Sequence, residues 1–332
     1  MENHIAARKN RLGILGVAKI NERIFPSFAR MQRTELVGIA SRSLEKSRQS
    51  ASRHGIPKAY GSYEEMLKDP EIDTIYNPLP NHLHAEWTRK AADHGKHVLC
   101  EKPLAPTAGE AQDLVAYCEK KKVKLMDGFM WPHHPRTLKI KSQLQNGLLG
   151  DLLRVQGSFT FAMDDLHGPN IRLKPENGGG SLLDVGCYPV YGIRWAKGAE
   201  PVKALAKANF HRGVDVEMSG VLTFADGSMA SFDCGFTMPL RMQFEIVGTT
   251  GVLSVPNMWL PETNASWQIL RNGAVEHHVL PGYDQIALMH DHFSAAILDG
   301  TEVIPDPMEA VKTLKVLDAL ALSSRLGREV TV

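Results

Sequence analysis

The stretch RLGILGVA, residues 11–18, decides the fold. A short apolar run enters a glycine turn, and a helix-like run near 20–32 follows. The spacing is G-x-x-G-x-A, with Gly13, Gly16 and Ala18, where a dinucleotide-binding turn usually reads G-x-G-x-x-G/A. The chemistry fits the displaced middle glycine. Gly13 and Gly16 permit a tight turn and close backbone approach to a pyrophosphate. The helix N-terminus offers amides and the positive end of its dipole. Ala18 permits close packing of helix on strand. Glycines after a strand are often only a turn, so the weight of the motif comes from its surroundings.

Those surroundings alternate. ELVGIAS (35–41), DTIYN (73–77), HVLCE (97–101) and VKLMDG (123–128) read as buried strands. Helix-like stretches near 43–54, 62–69, 82–94 and 107–121 separate them. This is the rhythm of a parallel, doubly wound sheet with helices on both faces, an α/β domain of the Rossmann type. After about residue 150 the rhythm changes. VLTF-ADG-SMASF, WQIL-RNG-AVEHH and FEIVG-TTG-VLSV pair β-patterned runs across Asp226-Gly227, Asn272-Gly273 and Thr250-Gly251. D-G and N-G favour the left-handed turns that hairpins need, so the second domain is α+β, with a mainly antiparallel sheet, which the family resemblance given below implies to be open-faced. The expected division is 1–127 and 128–332. A tail helix at about 306–326, started by Asp306-Pro307 and stopped by Gly327, is expected to pack back on the first domain.

Composition excludes some classes of function. The 332 residues are 43% hydrophobic and 23% charged with net charge +1, so no nucleic-acid footprint is expected. No apolar run approaches the roughly 20 residues of a membrane span. The opening MENHIAARKNR has no apolar segment of a secretory signal. Cys100, Cys118, Cys187 and Cys234 form no C-x-x-C and read as reduced thiols, so a cytoplasmic protein is expected.

The end of the second strand bears on the cofactor. A free ribose 2′-hydroxyl usually meets Asp or Glu there. This chain has Ser41-Arg42-Ser43, with Lys46 one turn on. Arg can stack on adenine and pair with a 2′-phosphate. NADP(H) is therefore expected over NAD(H), which stays possible. NPLPNHLH (77–84) ends the strand DTIYN, and CEKPL (100–104) ends the next. Ligands bind at the carboxyl ends of such strands. GGGSLLDVGCYPV (178–190) lies in the second half, with Asp184 and Tyr188 four apart on one helical face.

Together the G-x-x-G-x-A turn, the Pro-x-x-x-His segment, E-K-P and GGG-x-x-x-D-x-G-x-Y resemble the Gfo/Idh/MocA oxidoreductase family. More closely, the chain resembles its glucose-fructose oxidoreductase, dihydrodiol dehydrogenase and D-xylose dehydrogenase branch, over nearly its whole length. The resemblance implies an active site formed between an NADP(H)-binding domain and an oligomer-forming sheet domain, as a homodimer or homotetramer. It implies a cis bond before Pro103 and a catalytic Lys102. Tyr188 matches the general acid/base, and Asp184 the acidic residue beside it; a structural ion pair is the alternative for Asp184. The turn with Gly13, Gly16, Val17 and Ala18, then Ser41, Arg42 and Lys46, then Pro78, Leu79, Asn81 and His84, and finally Glu101 and Lys102, match the cofactor-binding positions. His84 could instead be a helix-start surface residue.

The implied reaction moves hydride between nicotinamide C4 and a carbinol or carbonyl carbon of a sugar, polyol or trans-dihydrodiol. A free Tyr, with a pKa of about 10, is a poor base near neutrality. A nearby Lys and an oxidised nicotinamide would lower it. Where many relatives carry Arg, this chain has Pro132, in DGFMWPHHP. Trp131, His133 and Arg172 are candidate substrate residues, with His134, His167 and Asn170 as weaker ones. HDH (290–292) and HH (277–278) lack a third ligand at metal spacing, so no metal is expected. Two other functions share this fold, a dinucleotide-sensing regulator and a redox-neutral NAD-dependent glycosidase. The first should have lost E-K-P or the Asp/Tyr pair.

Overall fold

The structure, a computed structural model, describes residues 8–332. Part of the opening stretch read above for a secretory signal, residues 1–7, lies outside the described residues. The chain divides into two units, and both are discontinuous in sequence.

The first unit runs through Ala105, then takes residues 110–133 and 284–308. Its elements follow the alternation: β1 (Asn10–Leu15), α1 (Asn21–Phe28), β2 (Thr34–Ala40), α2 (Leu44–His54), β3 (Lys58–Tyr60), α3 (Tyr63–Leu67), β4 (Thr74–Asn77), α4 (His84–Asp93), β5 (His97–Cys100), α5 (Ala108–Lys120) and β6 (Leu125–Asp127). All six strands pair in parallel, in the order β3-β2-β1-β4-β5-β6. That order reverses direction between β1 and β4, and in open parallel sheets ligands generally bind at the carboxyl ends beside such a reversal. Ile14, Ile39, Ile75, Val98 and Leu99 are all fully buried. Such runs are needed when helices cover both faces of a sheet. Ser43 and Ser62 cap α2 and α3 by accepting from Lys46 N–H and Glu65 N–H.

The second unit takes residues 134–283, 106–109 and 309–332. It opens with α6 (Pro135–Gln145) and β7 (Leu152–Ala162). A π-turn over Leu182–Gly186 leads into α7 (Cys187–Lys197). Then follow β8 (Pro201–His211), β9 (Val214–Phe224), β10 (Met229–Gly235), β11 (Thr237–Arg241), β12 (Phe244–Gly248), β13 (Gly251–Val255), β14 (Asn264–Arg271) and β15 (Ala274–Pro281). The hairpins form as the turn dipeptides indicate, β9 with β10, β12 with β13 and β14 with β15. The sheet is antiparallel except where β10 runs parallel to β7. Its register sorts side chains by face. Ala204, Leu222, Ala230, Val155, Ile246, Leu253 and Ile269 lie on one buried face. Leu205, Val221 and Leu270 are exposed on the opposite face, as strand alternation requires.

The end of the chain departs from the expected division. Helix α8 (Gln285–Leu298) belongs to the first unit. Its Asp291 accepts from the backbone N–H groups of Gln32 and Arg33, at 2.6 and 2.9 Å. Its Ser294 accepts from Asn10 Nδ2 at 2.9 Å. The tail helix α9 (Met308–Leu326) and the short β16 (Val330–Thr331) belong almost wholly to the second unit. Contacts within the second unit hold the tail helix. Ser323 Oγ on α9 accepts from Ala206 N–H on β8, and buried Arg194 on α7 reaches Glu309 and Thr313. All four cysteines are buried and free, and no helix among the described residues is long and apolar enough to cross a membrane.

Candidate active site

In the first unit the glycine turn divides into two roles. Gly13 lies inside β1, and a Cβ there would stand 2.8 Å from Met66 Sδ on α3. Its lack of a side chain leaves room for Met66 and Ile72. Gly16 makes the turn, with φ +87, and donates its N–H to Ala40 O at 2.8 Å. Buried Asn21 holds the turn by donating to Gly16 O at 2.9 Å. Val17 is exposed and Ala18 partly so. At the end of β2, Ser41 is buried and accepts from Ser43 N–H, while Arg42 and Lys46 are exposed. The Arg42 charge acts on Tyr63, whose hydroxyl lies 3.3 Å from where a Gly16 Cβ would stand.

The segment after β4 is tied to CEKPL through His84. This ring is buried. Its Nδ1 lies 2.8 Å from Pro103 O and its Nε2 2.7 Å from Leu79 O. Burial pushes its pKa down to about 4, against the pull of the two carbonyls. A neutral ring therefore serves one carbonyl at a time near pH 7. Neither nitrogen is left for a nucleotide, and the role open to His84 is to hold the turn after Lys102. Asn77 braces the same loop through His84 O, Thr88 Oγ1 and Leu79 N–H. Leu79 is buried, and Pro78 and Asn81 complete the loop.

Glu101 follows β5. It accepts from Tyr76 Oη at 2.6 Å and from Lys102 N–H at 3.3 Å. Burial raises its pKa, while Lys102 and Tyr76 draw it back. The Lys102–Pro103 bond is cis, as the resemblance implies. Beside this edge, Asp127 ends β6, with Cys100 as its ladder partner. Sequence reasoning missed Asp127, although a lone carboxylate closing an apolar parallel strand is a readable signal. Burial and neighbouring Glu101 push its pKa up to about 8. Its Oδ1 is closed off from solvent with no hydrogen-bond partner among the described residues.

The turn Trp131–His133 separates the other candidates. Trp131 is fully buried. His133 lies 5.0 Å from the His292 ring, and burial pushes its pKa down to about 3. His134 caps α6 by accepting from Arg136 N–H.

In the second unit, Asp184 sits in the π-turn, a distortion frequent at functional sites. Its carboxylate pairs with Arg172 Nε at 2.6 Å. The charge of Asp184 holds the Arg172 guanidinium above its ordinary value, with Tyr188 adding to the effect. Arg172, Asp184 and Tyr188 thus form one electrostatic group. The glycines before them are explained by backbone crowding. Gly179 N–H donates to Lys174 O and Gly180 N–H to Arg172 O, and Gly180 has φ +114. Tyr188 is buried at the ring, between Phe159 at 5.1 Å and Trp259 at 6.0 Å. Trp259 is held by its indole N–H, which donates to Ser158 O. Asn170 accepts from Arg172 N–H, and His167 is exposed beside His211. Among the described residues no group of three His, Cys, Asp or Glu could hold a metal ion.

Two features of the first unit fit a dinucleotide: the positive-φ Gly16 turn at the switch point, and the buried, unpartnered Asp127 Oδ1, which a bound amide could satisfy.

Comparison with known proteins gives consistent matches. Residues 10–129 match the model of GFO/IDH/MocA, an oxidoreductase family with an NAD-binding Rossmann fold. Residues 137–254 match the GFO/IDH/MocA C-terminal domain. The chain is 35% identical to D-xylose 1-dehydrogenase (NADP(+)) 2 of Haloferax volcanii, over 96% of this chain and 98% of that protein. The fold is similar to that of aldose-aldose oxidoreductase from Caulobacter crescentus, with TM-score 0.91 and 27% identity over 98% of this chain and 100% of that one. It is also similar to KijD10, a 3-ketoreductase from Actinomadura kijaniata in complex with NADP and TDP-benzene, with TM-score 0.88 and 30% identity over 95% and 98% of the two chains.

Proposed function

Since the chain belongs to the GFO/IDH/MocA oxidoreductase family, we propose that it is an NADP(H)-dependent dehydrogenase or reductase acting on a hydroxyl or keto group of a sugar. The observation that carries this reading is the carboxyl edge of the first sheet. Gly16, Arg42 and Lys102 stand at the ends of β1, β2 and β5, the positions expected of a pyrophosphate turn, a 2′-phosphate partner and a catalytic cation. Bound NADP(H) supplies or accepts the hydride. The chain's own residues manage the proton. Tyr188 takes it from the substrate hydroxyl in oxidation and returns it in reduction. The Lys102 ammonium stabilises the developing alkoxide. Asp184, held by Arg172, orients substrate hydroxyls as an acceptor.

The open face of the second sheet supports a homo-oligomer. Leu205, Val221 and Leu270 are exposed there among polar neighbours. A monomeric mass by light scattering would remove that part of the reading. For the reaction, the protein is denatured to release any retained nucleotide, and NADP⁺ reduction is followed at 340 nm with a panel of aldoses and polyols. NADP(H) in the supernatant, or turnover with one sugar class, is the expected outcome. Absence of nucleotide binding and of turnover across the panel rejects it.

A further inference from the structure

The mechanism above leaves the carboxyls of Glu101 and Asp127 without a chemical task. They end adjacent parallel strands, one residue apart in register, since Asp127 pairs with Cys100. The two strand ends are pressed together at Gly128, where a Cβ would lie 2.8 Å from Cys100 O and 3.0 Å from Glu101 Cα. Glu101 has donors in Tyr76 Oη and Lys102 N–H. Asp127 has Gly128 N–H, and its Oδ1 has nothing. A buried carboxylate oxygen without a donor is costly, and so are two neighbouring carboxylates that are both ionised. The resolution in the free protein is a single shared charge, with Asp127 holding a proton near neutral pH.

We propose that the Glu101–Asp127 pair senses the redox state of the bound cofactor: it carries one proton in the free protein and releases that proton to solvent when the cationic, oxidised nicotinamide binds. The dihydronicotinamide ring is neutral and leaves the proton in place. The proposal rests on the nucleotide reading of the first unit. The groups whose charges bear on the pair are Lys102 on the same turn, the Cys100 thiol, Tyr76 on β4 and Arg23 on α1. Burial keeps Cys100 a neutral thiol, which leaves Lys102 and Arg23 as the fixed cations. Folding sets the Asp127 pKa at about 8, so the coupling falls in a readily accessible window.

The test measures dissociation constants of NADP⁺ and NADPH by tryptophan fluorescence at pH 6, 7, 8 and 9. Ionisation of the 2′-phosphate affects both nucleotides and cancels in their ratio. In the wild type, the affinity ratio NADP⁺ to NADPH should rise about tenfold per pH unit below pH 8 and flatten above it. In Asp127→Asn the ratio should be constant. In Glu101→Gln the rise should move to lower pH, because one repelling charge is gone. A flat ratio in the wild type, with both nucleotides bound, overturns the coupling. The same rise in Asp127→Asn also overturns it, by assigning the proton to another group. Failure of the wild type to bind either nucleotide refutes the nucleotide reading itself, and the coupling with it.

Discussion

Replacing His84 with phenylalanine keeps a buried ring and removes both nitrogens, so it isolates what those nitrogens do. At pH 7 the native ring is neutral and donates to one of two buried carbonyls, Pro103 O or Leu79 O. His84→Phe leaves that carbonyl without its donor, at a cost of about 1–3 kcal/mol. Acid reverses the comparison. The native pKa of about 4 lies below the ordinary 6.5, so the unfolded chain binds the proton more readily. The neutral ring's contribution is present above pH 6.5 and is lost as pH falls toward 4. At pH 5 the wild type pays about 2 kcal/mol for keeping this ring unprotonated, and the variant pays nothing. The stability gap between the two should therefore narrow by about 2 kcal/mol between pH 7 and pH 5. Urea unfolding of both proteins at the two pH values measures it. Buried His133, His134 and His290 titrate with the same sign but are common to both proteins. A gap of constant size would refute the assignment of a neutral, carbonyl-bound ring.

Arg42→Ala should weaken NADP⁺ binding by tenfold or more and NAD⁺ binding by much less. Equal losses in fluorescence titration would exclude a 2′-phosphate role. Lys102→Met and Tyr188→Phe should each lower kcat by about 10²–10⁴-fold. NADP⁺ affinity should stay within a few-fold of wild type, and a matching loss of affinity would assign these residues to nucleotide binding. Gly180→Ala forces a side chain onto a backbone with φ +114 and within 2.3 Å of Asp215 Oδ1. It should destabilise the protein by about 1–3 kcal/mol in thermal or urea melts, and a neutral result would contradict the crowding at that turn.

Much of the architecture was readable because it rests on local patterns. Strand and helix alternation gave the parallel sheet, and D-G and N-G gave two hairpins. Asp306, whose Oδ1 accepts from Met308 N–H, gave the start of the tail helix. What was not readable depends on partners distant in sequence. Nothing near Gly13 says that Met66, over fifty residues on, packs into its Cβ space. His84 is read as a nucleotide contact until Pro103 O closes on its ring. The ion-pair alternative for Asp184 was open from the start, but nothing local names Arg172 as the partner. The sequence reading did not single out 285–298, and nothing local says that this helix joins the first unit.

That boundary has a consequence for how the protein is made. Asn10, Gln32, Arg33 and Thr34 near the N-terminus all find hydrogen-bond partners on α8, in Asp291 and Ser294. Those partners are synthesised more than 250 residues after the groups they satisfy. Without α8 the nucleotide-binding unit lacks partners for Asn10 Nδ2 and Thr34 Oγ1, on two residues that are buried in the finished fold. A fragment ended at residue 127 reproduces that unfinished intermediate, whereas a shortened version that joins residue 133 to residue 284 retains the missing partners.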